Sequence, residues 1–271
     1  MRVSELKWTK NDVNRNHNVT IAMEDVISEF TALQEAKKYE TAYNLIRDAI
    51  KNRGMNDSEL HWRHSLICRD MAMTAGKQDS ALYKRLVEEG LEAADAGLKI
   101  NPDHPKCHCW SAIHLNYLSQ LEGINKRIEN SFKMKEHWLK AIKANPDDAI
   151  TLHALGRWCF EVTDLPWIKR KFAQAFFSTP PTSTYEEVGV PNSCLTKKTR
   201  LYFQGLEYLL ASEKVSPNFI ANNSLYLAKT YQRLKNKDLA KHYCQQVLNF
   251  KDTDLETEEA KKEASEILKN L

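Results

Sequence analysis

The motif Lys-x-Asn-Pro-Asp occurs twice, in "KINPDHPKCHCW" at residues 99–110 and in "KANPDDAITLHALGRWCF" at residues 143–160. Each copy joins one helical pattern to another. Proline lacks an amide proton, and its ring disfavours the α region for the residue before it, so each Asn-Pro pair ends a helix. Asp103 and Asp147 are placed to accept hydrogen bonds from the first amides of the next helix. Pro105 suits a first helical turn. A chain punctuated in this way folds as helices that double back on one another.

Elsewhere the apolar residues also recur at helical spacing. Val26, Phe30 and Leu33 form one stripe, and Ala42, Leu45, Ile46, Ala49 and Ile50 form the next. The break "KNRGMNDSE" follows, with Gly54 suited to a helix end and Asp57 or Ser58 to a helix start. A helix to Ala75-Gly76 comes next, then "GKQDS" with Asp79 or Ser80 as cap, then a long helix to Ile100. Gly and Pro number only eight each, and no stretch reads as a strand. The expected fold is all-α, a tetratricopeptide-like superhelix of antiparallel helix pairs, because a single helical hairpin cannot bury its own apolar face.

The clearest repeat follows Pro146, with Leu155 and Gly156 at the Leu-Gly positions and Ala141 in the preceding helix. A second spans 222–248, with Leu227-Ala228, Tyr231, Ala240, Cys244 and Val247 at the expected offsets. Pro217 closes the unit before it. Pro146 to Pro217 is about two repeat lengths, whereas Pro102 to Pro146 is about ten residues too long for one. The pairs 25–52 and 57–100 match the pattern only loosely. "LYFQG" at 201–205 looks like part of a protease tag, but Tyr202, Leu206, Leu209 and Leu210 continue a helical stripe, so it reads as native. The expected organisation is a flexible segment at 1–24, the repeat domain at 25–250, and an acidic capping helix at 251–271.

Charged residues are 28% of the chain with both signs mixed, and the net charge of +3 is too small to argue for nucleic acid. No window of 18 apolar residues exists, and "MRVSELKWTK" lacks the apolar core of a signal peptide. An intracellular chain is expected, with its six cysteines reduced.

His104, Cys107, His108 and Cys109 raise the question of a metal site. On a helix starting near Pro105, Cys107 and Cys109 point about 200° apart, so they cannot grip one ion, and no second cysteine pair completes a zinc knuckle. Packing of a repeat, with an exposed histidine, is the expectation there, with no metal and no cofactor. The sequence holds no G-x-S-x-G elbow, phosphate-binding P-loop, H-E-x-x-H helix or G-x-G-x-x-G turn, and no enzyme is expected.

The pieces "HPKCHCW", "LEGINKRI", "LGRWCFEV" and "FFSTPPTSTYEE" carry a more specific signal. Over roughly residues 80–250 the chain resembles the regulator of microtubule dynamics family. The resemblance implies a non-enzymatic tetratricopeptide-like domain that associates with microtubules and acts in the spindle and chromosome segregation. Some members of that family carry an N-terminal membrane anchor and work at contacts between endoplasmic reticulum and mitochondria, and one is linked to lipid transfer. With no anchor in the sequence, a soluble cytoplasmic and spindle member is expected, with tubulin as partner.

A microtubule surface is acidic, so its binder needs clustered cations. The candidates are Lys169, Arg170 and Lys171 together with Lys197, Lys198 and Arg200, in a segment with six basic and two acidic residues. Lys126 and Arg127, with Lys133 and Lys135, form a second set. Trp138, Trp158 and Trp167 are candidates for a groove that holds a peptide or an acyl chain, or simply for core. Reversing the charges of Lys169, Arg170 and Lys171 is expected to weaken microtubule pelleting at low salt with helicity unchanged; unchanged pelleting rejects that patch.

Overall fold

A computed structural model describes residues 10–122, 124–164 and 197–271. All regular structure among these residues is helical, and no described helix is long and apolar enough to cross a membrane. The chain divides into two compact units, Met1–Ala141 and Ile142–Leu271.

In the first unit, α1 (Lys10–Glu35) turns into α2 (Tyr39–Lys51) through Lys37, which adopts a left-handed φ of 56°. Helix α1 thus starts inside the 1–24 segment; the spacing Val19, Met23, Val26, Phe30 continues the apolar period upstream of Asp25. Asp57 caps α3 (Ser58–Ala75) by accepting from the Glu59 amide, and Asp79 caps α4 (Ser80–Ile100) through the Leu82 amide. These two helices are antiparallel. Ser58 Oγ donates to the Gly97 carbonyl at 2.8 Å, and further along His64 Nε2 donates to Glu89 Oε1 at 3.0 Å. The core of this unit gathers Phe30, Ile46, Leu60, Ile67, Leu86 and Val87.

Helices α5 (Pro105–Leu121) and α6 (Ile124–Ala144) form the next hairpin. Asn130 Nδ2 donates to Ser119 Oγ at 3.0 Å, and the His108 and His137 rings meet at 2.9 Å. Their lengths, 17 and 21 residues, account for the long interval between Pro102 and Pro146.

Both Asn-Pro-Asp sequences form turns, but the cap lies one residue beyond the expected Asp103 and Asp147. His104 Nδ1 accepts from the Cys107 amide at 3.3 Å at the start of α5. Asp148 immediately precedes α7 (Ala149–Asp164), and its carboxylate accepts from Thr151 Oγ1. Asp103 is part of the turn itself, with its amide donating to Asn101 Oδ1 at 3.2 Å.

In the second unit, α7 pairs antiparallel with α8 (Lys197–Val215). Ser212 Oγ donates to the Ala149 carbonyl at 2.9 Å, and Tyr202 OH donates to Asp164 Oδ1 at 2.8 Å. Gly156 and Gly205 face each other at the crossing: a Cβ on Gly156 would sit 2.9 Å from the Gly205 carbonyl oxygen and 2.5 Å from Leu209 Cγ. The glycine of "LYFQG" is thus part of the helix packing. Tyr202, Leu206 and Leu209 are buried, whereas Leu210 is 36% exposed, so the apolar stripe is narrower than its sequence reading.

The turn at Pro217 leads into α9 (Ala221–Arg233), which pairs with α10 (Lys237–Leu248). The repeat positions Leu155, Leu227, Ala228, Ala240, Cys244 and Val247 are all buried. Helix α11 (Leu255–Lys269), capped by Asp254, packs Ala260, Ala264 and Ile267 on α9 and α10. Cys68, Cys107, Cys109, Cys159 and Cys244 are buried, and Cys194 lies outside the described residues.

A methyl group added at Gly156 has backbone and a buried leucine in its way, and neither yields easily. Gly156→Ala is expected to destabilise the second unit by about 2 kcal/mol, read as a lower urea midpoint; an unchanged or higher midpoint contradicts the close crossing.

Candidate functional site

The side chains of His104, Cys107 and His108 serve separate partners. His104 Nε2 lies 3.1 Å from Glu59 Oε1. Cys107 Sγ points to the Ser58 carbonyl at 3.6 Å and fills the notch left by Gly97, where a Cβ would meet it at 2.4 Å. His108 Nε2 donates to the Pro102 carbonyl at 2.9 Å, which leaves its Nδ1 to accept from His137 Nδ1. Cys109 is buried. The stretch therefore ties α5 to α3 and α6. The hydrogen bond from His104 holds the Glu59 carboxyl down at about 2 despite burial, with Arg63 and Trp62 assisting. Burial pushes the Cys107 thiol up to about 12. Among the described residues, the ligand-type side chains that do converge are His64, Cys68 and Glu89, a set the sequence reading missed.

Lys169, Arg170, Lys171 and Trp167 lie outside the described residues. Lys197, Lys198 and Arg200 stand in the first turn of α8, and Arg200 is half-buried. Lys126 and Arg127 stand in the first turn of α6, where Lys126 is exposed and pairs with Glu129 at 3.1 Å. Helix α6 holds six basic residues and two acidic ones. Lys133 bonds Glu129 at 2.8 Å and Lys140 bonds Glu136 at 2.9 Å, so the helix retains a net positive charge after its acids are paired. One face of α6 buries Asn130, Met134, Trp138 and Ala141. The opposite face presents Phe132, 39% exposed, and Leu139, 40% exposed, between the lysines. Their seven-residue spacing was legible in the sequence but looks the same as that of a core stripe.

Trp138 and Trp158 are buried at 4% exposure each, which makes them core and not lining of an open groove. The shared face of α7 and α9 is instead built from ion pairs over aromatic rings. Arg157 Nε and Tyr226 OH both donate to Glu161 Oε1, at 2.8 and 2.7 Å. Arg233 grips Asp164 through Nε and Nη2, both at 2.8 Å. Lys229 pairs with Glu263 of α11 at 2.6 Å and lies 4.8 Å from the Tyr226 ring centre. The hydrogen bonds to Asp164 raise the Arg233 pKa, and burial raises that of Tyr226.

A family model described as regulator of microtubule dynamics protein 1-3 matches residues 26–188 and 196–271. The chain belongs to this family. Regulator of microtubule dynamics protein 1 of Bos taurus is 35% identical over 252 residues, covering 92% of this chain and 72% of that protein. The protein 1 of Homo sapiens is 37% identical over 210 residues, covering 76% and 60%. Regulator of microtubule dynamics protein 3 of Xenopus laevis is 33% identical over 210 residues, covering 78% and 41%. Among solved structures, TTC0263, a tetratricopeptide protein of Thermus thermophilus, aligns with TM-score 0.57 at 13% identity, covering 89% of this chain and 97% of that one. It shows the tetratricopeptide fold for this member of the family.

Two histidines deep in this scaffold make it acid-sensitive. Burial pushes both His114 and His153 down from 6.5 to about 4. The unfolded ring takes its proton near 6.5 and the folded ring only near 4, so this stability is complete above pH 6.5 and lost as pH falls towards 4. The limiting loss is about 3 kcal/mol per ring. Glu59 and Glu89, held at about 2, extend the loss below 4.5. The urea midpoint is expected to fall steadily from pH 7 to pH 4; a flat profile contradicts the buried neutral rings.

Proposed function

We propose that this chain is a non-enzymatic scaffold that binds microtubules through basic helix faces and supports spindle organisation and chromosome segregation in the cytoplasm. Membership of the regulator of microtubule dynamics family supports the microtubule reading. The observation that carries the binding mode is the outward face of α6. There Lys133, Lys135 and Lys140 surround the exposed Phe132 and Leu139. Excess positive charge attracts an acidic polymer over a Debye length, and the two apolar side chains add a short-range contact once it arrives.

A second reading rests on the α7–α9 face. Its paired charges, which overlie the buried Phe160 and Tyr226 rings, suit a short peptide that carries both signs of charge, which would make the chain an adaptor that reaches microtubules through a partner. A lipid carrier finds less support. The groove of about 850 Å³ beside α8 and α10 has Tyr243 and Phe250 in its lining but is otherwise polar, with Glu213, Asn218, His242 and Gln246, and a mostly polar wall does not suit an acyl chain.

Co-sedimentation with microtubules across a salt series tests the binding mode. The variant Lys133→Glu/Lys135→Glu/Lys140→Glu is expected to bind at least threefold more weakly at low salt, with unchanged helicity and a difference that shrinks at high salt. Equal pelleting of variant and parent at every salt concentration rejects the α6 face.

A further inference from the structure

His64 and Cys68 are four residues apart on α3 and so share one face of that helix. Glu89 reaches them from α4, with His64 Nε2 3.0 Å from Glu89 Oε1. One ligand-type atom from each of the three side chains lies within 4.8 Å of the others. Tyr43 OH, from α2, sits 2.9 Å from both Glu89 oxygens and fixes the carboxylate's orientation. Cys68 is fully buried, His64 and Tyr43 nearly so, and the Glu89 side chain keeps 23% exposure.

We propose that His64, Cys68 and Glu89 form a binding site for a thiophilic divalent cation of the zinc type, its fourth position reached by solvent along the Glu89 edge. The donor set of imidazole, thiolate and carboxylate is the one such an ion takes, and three protein ligands with one open position is an established arrangement. Tetrahedral coordination at ordinary bond lengths brings ligand atoms to about 3.5 Å from one another, a contraction within reach of rotamer adjustment. Tyr43 becomes the outer partner that orients the Glu89 ligand.

The charges balance. Binding forms one bond each from metal to sulfur, nitrogen and oxygen. The Cys68 thiol proton leaves to solvent, and the imidazole stays neutral with its proton on the ring nitrogen that does not bind. Thiolate and carboxylate then neutralise the ion. Arg47, whose Nε is 3.7 Å from Glu89 Oε1, is the cation that holds this place without metal. That Nε is buried with no hydrogen-bond partner, the guanidinium rests over the Tyr43 ring at 5.0 Å, and the Arg47 side chain is 38% exposed, so it has an exit to solvent. Burial, with the Glu89 charge adding to it, raises the pKa of the free Cys68 thiol. A bound cation reverses that effect by stabilising the thiolate.

The test is titration of the full, metal-stripped, reduced chain with Co²⁺, followed by competition with Zn²⁺. One equivalent is expected to bind with a thiolate-to-cobalt charge-transfer band, which Zn²⁺ abolishes. Cys68→Ser is expected to lose the band, Cys107→Ser to keep it, and Glu89→Gln to bind at least tenfold more weakly. No band in the parent chain overturns the proposal, as does a band retained by Cys68→Ser. If Cys68→Ser does not fold, unchanged affinity in Glu89→Gln overturns it instead.

Discussion

At Gly90 and Gly97 in the first unit and at Gly156 and Gly205 in the second, helices come close enough that the residue at the contact has to be small, and the packing of both units draws on that constraint. Helices with ordinary side chains between them pack about 8–10 Å apart. Here Gly156 and Gly205 put backbone against backbone. In the first unit the same device works differently, because α4 offers glycine notches that side chains of α5 enter. A Cβ on Gly90 would lie 2.1 Å from the His114 ring, and one on Gly97 would lie 2.4 Å from Cys107 Sγ. A side chain seated in a notch fixes both the rotation and the register of its helix. Hairpin α3–α4 is thereby keyed to α5 at two points about two helical turns apart on one face, and apolar area alone could not select that register.

Polar groups inside the scaffold add a second level of specification. His114 Nε2 donates to the Ser65 carbonyl at 3.0 Å and so joins α5 to α3. His153 donates to Asn223 Oδ1 at 3.2 Å, and Asn223 Nδ2 in turn reaches the Leu209 carbonyl and Glu213, which links α7, α9 and α8. A buried network of this kind is favourable only when its members are mutually satisfied, so it penalises misregistered packings more than an apolar contact would. A neutral imidazole suits the role because one nitrogen donates while the other stays unprotonated. Acid sensitivity is built into that choice.

Much of this architecture was legible from local chemistry. Pro102, Pro146 and Pro217 mark turns because proline forbids helix continuation whatever surrounds it, and Asp57 and Asp79 cap helices because the favourable geometry lies within three residues. The displaced caps at His104 and Asp148 show the limit. The Asn-Pro-Asp turn consumes the aspartate, and only the full turn conformation reveals it. The His64–Cys68 spacing was equally visible, yet it gains meaning only from Glu89, which lies 21 positions beyond Cys68 and is brought in by the hairpin. Likewise the exposed Phe132 and Leu139 have the period of a core stripe, and only the burial of Met134 and Trp138 on the opposite face tells the two apart. Local rules gave the punctuation, and tertiary contacts decided which side of each helix is used.

The distribution of charge separates two kinds of surface. On α6 the cations outnumber the acids, so a field extends outward and salt weakens it. On the α7–α9 face, Arg157, Lys229 and Arg233 each already hold a carboxylate, and such pairs cancel at a distance. Little long-range attraction for a polyanion therefore comes from that face, and a ligand there has to replace ion pairs that exist before it arrives. A ligand that offers both signs of charge can do so with least loss. Long-range attraction and short-range charge pairing thus belong to different helices, and a mutation on one is expected to leave the other intact as long as the glycine contacts hold.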